Sequence, residues 1–184
     1  WLGELYAPPE RYTAADIGSG TGKLSAQLLA AGFRVCGVEP NPDMRGAAEA
    51  LLGGDPRFSS SNGTDHDTGL PDRSVDMVAA AQAFHWFDGP AFARECRRIL
   101  RPGGRAVLVW NVRGPAPVNQ ALAQVFREHC PSFHGFTGGM GEDDPCIRDF
   151  FGGAYEKRRF PNPLTLDRDQ FLRRCFSSSY ALRE

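Results

Sequence analysis

The sequence predicts an α/β protein built on an open, doubly wound parallel sheet, and three observations carry that expectation. Short apolar runs alternate with segments of helical period from residue 14 to residue 110, the pattern of strand and crossover helix. Each run is apolar nearly throughout rather than at every second position, as strands covered on both faces are. Five such units are too few to close an eight-stranded barrel, so the sheet stays open.

The elements follow in order. Ala14-Ala-Asp-Ile17 is a short buried strand that runs into a glycine turn. Leu24, Leu28 and Ala31 then recur at helical spacing until Gly32 stops the helix. Arg34–Val38 is the second strand, closed by Glu39. Asn41-Pro42 supplies an N-cap and a first helical residue, Met44, Ala47, Ala48 and Leu51 the buried stripe, and Gly53-Gly54 the end. Phe58–Ser61 is a weak third strand and Val75–Ala81 a strong fourth. A helix starting near Asp88 carries Phe92, Cys96, Ile99 and Leu100, and Arg101-Pro-Gly-Gly104 turns the chain into a fifth strand, Ala106–Trp110. Beyond it the pattern weakens. A helix with Val118, Leu122, Val125 and Phe126 is followed by a glycine-rich, acidic loop from Ser132 to Pro145, of a length that commonly makes a lid or an unstructured segment. A short strand at Lys157–Phe160 and an amphipathic helix at Asp167–Phe176, with Phe171, Leu172 and Cys175 inward, complete the reading.

A chain of 184 residues buries one substantial core rather than two, so a single domain 1–184 is expected. The net charge of -1 argues against a general electrostatic hold on nucleic acid or on an anionic membrane. No apolar run nears the roughly 20 residues that span a bilayer, and the N-terminus lacks a secretory pattern. A cytoplasmic location is the default expectation. Five cysteines at irregular spacing without C-x-x-C suggest reduced thiols, not a disulfide framework. His129, Cys130, His134 and Cys146 match no zinc spacing, and no metal is expected. The chain starts at Trp1 and stops within Tyr180-Ala-Leu-Arg-Glu184, as though inside a helix, so elements are expected to be missing at both ends.

The turn after the first strand reads Asp16-Ile-Gly-Ser-Gly-Thr-Gly-Lys23. In open parallel sheets a ligand lies beyond the carboxyl ends of the strands, where strand order reverses, and this turn belongs there. The dinucleotide pattern G-x-G-x-x-G fails from either start, meeting Lys23 when counted from Gly18 and Ser25 when counted from Gly20. A P-loop fails on spacing and on its hydroxyl, since Leu24 follows Lys23.

What remains is D-x-G-x-G-x-G followed by Glu39 at the tip of the second strand. It resembles the cofactor motifs of class I S-adenosylmethionine-dependent methyltransferases. The resemblance implies a Rossmann-like sheet in the order 3-2-1-4-5, with a C-terminal strand pair that this sequence leaves incomplete, and S-adenosyl-L-methionine as cofactor. Gly18 and Gly20 would let the ligand approach the backbone, and Glu39, a two-oxygen acceptor, would take both ribose hydroxyls. Asp16 would brace the loop's amides or meet the cofactor's ammonium through water. Gly63-Thr-Asp-His66, ahead of Leu70-Pro-Asp72, is similar to the segment that sets Thr64 or Asp65 against the adenine amino group. Pro40, Met44, Ala81 and Gln82 complete the implied cofactor contacts. Ala81-Gln-Ala-Phe-His-Trp-Phe-Asp88 and Leu100-Arg-Pro-Gly-Gly-Arg105 are similar to a small-molecule subgroup that includes the trans-aconitate methyltransferase-like enzymes. The likeness is specific from Ala14 to Asn111 and returns faintly from Leu164-Thr165 to Ser177-Ser-Ser-Tyr180. The domain then divides into a cofactor-binding core, 1–112, and substrate-side and C-terminal elements, 113–184.

The implied activity is methyl transfer to a small molecule through an O- or N-nucleophile, a carboxylate among the candidates. The alternative is a non-catalytic scaffold or regulatory module that binds the same cofactor. Methyl transfer from a sulfonium needs little covalent help, and in-line positioning can supply roughly 7 to 11 kcal/mol. His85, whose ordinary pKa lies near 6.5, suits a general base, a substrate contact or a packing residue, and Gln82 is the other candidate beside the reacting atoms. His85, Trp86, Trp110 and Arg113 are expected to line the substrate pocket, Arg113 either pairing with an anionic acceptor or standing in solvent. Trp86 and Phe87 read as pocket wall or core, with a cation–π contact to the sulfonium as a further reading. Arg94, Arg97, Arg98 and Arg101 offset a helix dipole, and Lys157-Arg-Arg159 is either solvated or a contact for a phosphorylated or nucleic-acid partner. No motif identifies the acceptor.

Overall fold

The computed structural model describes residues 1–114, 116–136, 140–141 and 143–176. Strands β1 (Thr13–Ile17), β2 (Arg34–Val38), β3 (Phe58–Ser61), β4 (Val75–Ala81) and β5 (Leu100–Val109) form one sheet in the order β3-β2-β1-β4-β5. Every pairing is parallel, with Ala15 opposite Cys36 and Val78, and Val38 opposite Ser61. Strand order reverses between β1 and β4, which places a crevice at their carboxyl ends.

The helices are α1 (Leu2–Leu5), α2 (Lys23–Ala30), α3 (Pro42–Leu52), α4 (Gly89–Ile99), α5 (Pro117–His129), α6 (Pro145–Phe150) and α7 (Arg168–Phe176). The strands alternate their side chains between two cores, as the pleat requires. Ala14, Val35 and Met77 face Leu28 and Leu29 of α2, with Tyr6 and Phe33. Ala15, Ile17, Val38, Val78 and Ala80 face Phe92, Cys96 and Ile99 of α4, with Ile147 and Phe150 of α6. A third cluster, Ala123, Phe126, Cys130, Phe133 and Cys175, holds α5 and α7 together.

Local signals place most boundaries. Asn41 caps α3 by accepting from the Asp43 and Met44 amides, and Asp88 caps α4 by accepting from Ala91. Three expectations are corrected, and a fourth, the helix after the sheet, is borne out with its buried face now defined. The buried face of α3 is Ala48, with Leu52 half-buried, whereas Met44, Ala47 and Leu51 face solvent; the helix leans on the sheet through residues one step later than its apolar pattern suggests. In α5, Ala123 and Phe126 are buried while Val118 and Val125 are exposed. Residues Lys157–Phe160 form no strand and lie exposed, because no neighbouring strand offers them a ladder. The expected loop from Ser132 to Pro145 ends where Asp144 caps α6, a helix the sequence did not announce.

β5 also begins earlier than Ala106. Leu100 pairs with Val75 and the ladder resumes at Arg105 opposite Met77, so the Arg101-Pro-Gly-Gly104 segment bulges outward across the single residue Asp76. Gly103 takes φ +82° there. The tail segment Ser177–Tyr180 and residues Thr137–Gly139 of the acidic loop lie outside the described residues.

Candidate functional site

The three glycines of the turn after β1 do three different things. A Cβ on Gly18 would stand 2.8 Å from the Ala83 Cβ and 3.2 Å from the Phe87 ring, so this glycine lets the turn press on the segment after β4. A Cβ on Gly22 would stand 2.8 Å from Leu52 and 3.1 Å from Ala48, so it lets α3 approach. Gly20, at φ +55°, faces open space, with no atom within 4 Å of a built Cβ. Of the three, it is the one whose Cβ position is clear of protein atoms. α2 starts behind the turn on Gly22 in the left-handed conformation, without a side-chain cap, which leaves first-turn amides for another acceptor.

Glu39 sits against this turn. Its Oε2 accepts from the Gly20 amide at 2.9 Å and its Oε1 from the Asn41 amide at 2.9 Å, and the residue is 7% exposed. Two backbone donors therefore fix the carboxylate while each oxygen keeps a second lone pair. Arg45 secures the backbone behind it, donating to the Glu39 carbonyl at 2.8 Å, to that of Pro40 at 3.3 Å and to Asn62 Oδ1 at 3.1 Å. Met44, on the first turn of α3, is half exposed.

Asp16, next to last in β1, is almost wholly buried. It does not brace the loop's amides. Its Oδ2 accepts from the Ser25 hydroxyl of α2 at 2.7 Å, and its Oδ1 has no partner among the described residues. Burial pushes its carboxyl up to about 6, opposed by the Ser25 bonds and aided by the nearby Glu39 charge.

The segment after β3 folds back on itself. Thr64 donates its amide to the Asp67 carbonyl at 2.8 Å and accepts from the Asp67 amide at 3.1 Å through its hydroxyl. Asp65 accepts from the Asp88 amide at 3.0 Å through Oδ2 and meets His66 Nδ1 at 3.1 Å through Oδ1. Both candidate residues thus lie on one loop tied to the start of α4.

On the other side of the crevice, Ala81 is half-buried at the tip of β4, and Gln82 adopts φ +55° while its amide bonds to the Val109 carbonyl at 2.9 Å. A left-handed glutamine is sparsely populated and concentrates at functional sites. A 3-10 turn, Phe84–Trp86, follows. His85 is half-buried, its Nδ1 has no partner among the described residues, and burial lowers its pKa below the usual imidazole value. Trp86 is 73% exposed, which excludes it from the core. Phe87 packs on Phe84 and Phe92, and Trp110 lies edge-on to Phe84 with its indole N–H unpartnered among the described residues.

Arg113 lies apart from the glycine turn, with its guanidinium 4.1 Å over the Phe136 ring. It joins Gly114, Asn119, Gln120, Ala123 and Arg127 around an open pocket of about 330 Å³. The structure therefore gathers Gly18, Gly20, Glu39 and Asp16 at one crevice and sets Arg113 at a second opening beyond β5. Arg98 and Arg101, read as dipole-offsetting charges, have specific partners in Glu95, Asp72 and Asp76. Sequence reasoning passed over Ser25 and Glu95, although a polar residue on the apolar stripe of α2 or α4 was a usable signal.

The family model described as the methyltransferase domain matches residues 15–108. An uncharacterized methyltransferase of Mycobacterium tuberculosis is 45% identical over 98 residues, which are 53% of this chain and 39% of that protein. The chain thus spans about two fifths of the length of this mycobacterial relative. An uncharacterized methyltransferase-like protein of Schizosaccharomyces pombe is 30% identical over 194 residues, covering 100% of this chain and 72% of that protein. Among solved structures, the YcgJ protein of Bacillus subtilis superposes with a TM-score of 0.52 at 25% identity, over 69% of this chain and 57% of that one. A SAM dependent methyltransferase from Aquifex aeolicus, 20% identical, gives a TM-score of 0.54 over 69% and 76% of the two chains, a likeness of fold alone. The sheet order, the glycine turn with its pinned acid, and a family match across β1 to β5 lead to one conclusion: the chain belongs to the methyltransferase domain family.

Proposed function

We propose that the chain binds S-adenosyl-L-methionine at the glycine turn and directs its methyl group to a small organic acceptor through an O- or N-nucleophile. The observation that carries this reading is Glu39, a buried carboxylate held by the Asn41 amide and by the amide of Gly20, the one glycine of the turn with open space at its Cβ position. Its free lone pairs suit a vicinal diol, and the unpartnered Asp16 Oδ1 nearby suits an ammonium. Ribose and amino-acid ends of the cofactor fit these two groups. Pro40 and Met44 would cover the base from α3, Thr64 or Asp65 would meet its amino edge, and Ala81 with Gln82 would close the side toward β4.

When bound, the cofactor supplies an activated methyl group. The chain's own residues orient the acceptor and manage its proton. His85, whose pKa burial lowers, would accept that proton while Gln82 holds the acceptor. Trp86 and Trp110 would wall the acceptor space. Arg113, at an opening that none of His85, Trp86 or Trp110 lines, would meet the distal carboxylate of an acceptor that extends from the crevice toward it. The likeness of Ala81–Asp88 and Leu100–Arg105 to the trans-aconitate methyltransferase-like subgroup supports the same substrate class.

Calorimetry tests the first half. S-adenosylhomocysteine is expected to bind in the micromolar range, and Glu39→Ala to weaken it at least about tenfold, or 1.4 kcal/mol. Absence of heat with folded protein overturns the assignment. Transfer of a labelled methyl group to a pool of small carboxylic acids tests the second half, and binding without transfer would identify a non-catalytic module.

A further inference from the structure

Glu95 of α4 is 6% exposed and charged, a costly combination that calls for a reason. Its Oε1 accepts from the Thr68 amide at 2.9 Å, the Thr68 hydroxyl at 2.6 Å and Arg98 Nη2 at 2.7 Å, and its Oε2 accepts from Arg98 Nε at 2.8 Å. Arg98 continues to Asp72 Oδ1 at 2.6 Å. Burial works against the carboxylate, yet the Arg98 and Thr68 bonds hold its pKa at about 2. It stays ionised throughout the working range.

The residue held by this charge is Thr68, with no exposed surface. Thr68 is the neck of the loop that follows β3. Its carbonyl accepts from the Ser61 hydroxyl at 2.9 Å, and a Cβ on Gly63 would stand 2.5 Å from that same oxygen, so the two ends of the loop touch. The far side of the loop is tied by Asp65 to the Asp88 amide at 3.0 Å. Asp88 caps α4 and Glu95 lies seven positions on, about two turns along the helix, so the two hold the loop at two points. On the β2 side, Arg45 links the Glu39 carbonyl to Asn62, the residue before the loop. The loop therefore has a fixed position relative to the carboxylate proposed to hold the sugar, and it arcs from the end of β3 toward the start of α4.

We infer that Glu95 and Thr68 are positioning residues that hold the Gly63–Asp67 loop at the distance where it reads the amino edge of the cofactor's base. The inference rests on the proposed cofactor site at Glu39. A hydrogen bond discriminates between bases only when its donor and acceptor are held to within a fraction of an ångström. A site built around such a bond rejects the analogue that cannot make it. The buried Glu95 carboxylate, held by the half-exposed Arg98, supplies that rigidity.

The test uses the whole chain and two ligands, S-adenosylhomocysteine and S-inosylhomocysteine, in which an oxo group replaces the amino group of the base. Wild-type protein is expected to prefer the adenosyl ligand by at least about tenfold. Thr68→Val removes the hydroxyl bond at nearly constant volume and is expected to reduce the preference to about threefold or less, mainly by weakening the adenosyl ligand. Thr68→Ser keeps the hydroxyl and is expected to restore it. Glu95→Gln is expected to follow Thr68→Val, and if it does not fold the Thr68 pair decides. Equal weakening of both ligands with the preference intact, or no preference in the wild type, overturns the inference. Failure of wild-type protein to bind either ligand overturns the cofactor site itself.

Discussion

Asp16 gives one carboxylate oxygen to Ser25 and keeps the other unpartnered in a buried position. Its carboxyl titrates near 3.8 when unfolded and near 6 in the fold. Below about pH 4 both states hold the proton; between 4 and 6 the folded state holds a proton that the unfolded state has lost. Stability from this residue therefore falls as pH rises through that window, by up to about 3 kcal/mol. Asp16→Asn keeps an acceptor for Ser25 and is expected to flatten this slope, raising Tm above pH 6 as measured by calorimetric scans. The same variant is expected to weaken S-adenosylhomocysteine, whose affinity for wild-type protein should rise from pH 5 to pH 7 as Asp16 ionises toward the ligand's ammonium. The glycines separate in the same way. Gly22→Ala meets Leu52 and Ala48 at φ +81° and is expected to cost about 1 to 3 kcal/mol of stability. Gly20→Ala meets nothing and is expected to cost only about 1 to 2 kcal/mol of strain while reducing ligand binding, which paired denaturation and titration curves would resolve.

At the scale of elements, α4 works as a rail. Its first turn is capped by Asp88, and its inner face carries Phe92, Cys96 and Ile99 into the core. Glu95 on that face holds the loop from β3. The turn just before it centres on Phe84, whose ring contacts Phe87, Phe92, Trp110 and Phe150. One side chain thus joins the β4 exit, α4, the end of β5 and α6. Phe84→Ala is expected to destabilise by about 3 to 5 kcal/mol in urea unfolding and to disturb His85 beside it. The bulge opposite Asp76 is held from outside by Arg101, which reaches Asp76 Oδ2 at 2.6 Å, while Asp76 Oδ2 also accepts from the Thr13 amide at 2.8 Å. This carboxylate ties the starts of β1, β4 and β5 at the edge opposite the crevice.

For the molecule as a whole, the two cores that grip the sheet and the cluster between α5 and α7 are separate bodies of apolar contact. A small satellite core opens at lower free energy than the sheet. Amide hydrogen exchange is expected to show α5 exchanging well before β1 and β4, and equal protection would show that the satellite unfolds only with the whole. The Arg113 pocket lies on that satellite, so acceptor binding there is expected to slow α5 exchange. No helix among the described residues is long and apolar enough to cross a membrane.

Short-range pattern was enough for the five strands of the sheet, for the Asn41 and Asp88 caps, and for a glycine turn paired with an acid 19 residues after Gly20, because continuous apolar runs, cap chemistry and glycine spacing act within a few residues of chain. The inward face of α3, the bulge in β5 and the fate of Lys157–Phe160 were illegible, since each depends on which neighbour the fold supplies. The roles within the site divide along the same line. That Glu39 meets Gly20 was readable from motif spacing. That a Cβ on Gly18 or Gly22 would strike packed neighbours while one on Gly20 would not, that Asp16 turns to Ser25, and that Glu95 grips Thr68 emerged only when distant segments came together, because burial and hydrogen-bond geometry are properties of surfaces in contact.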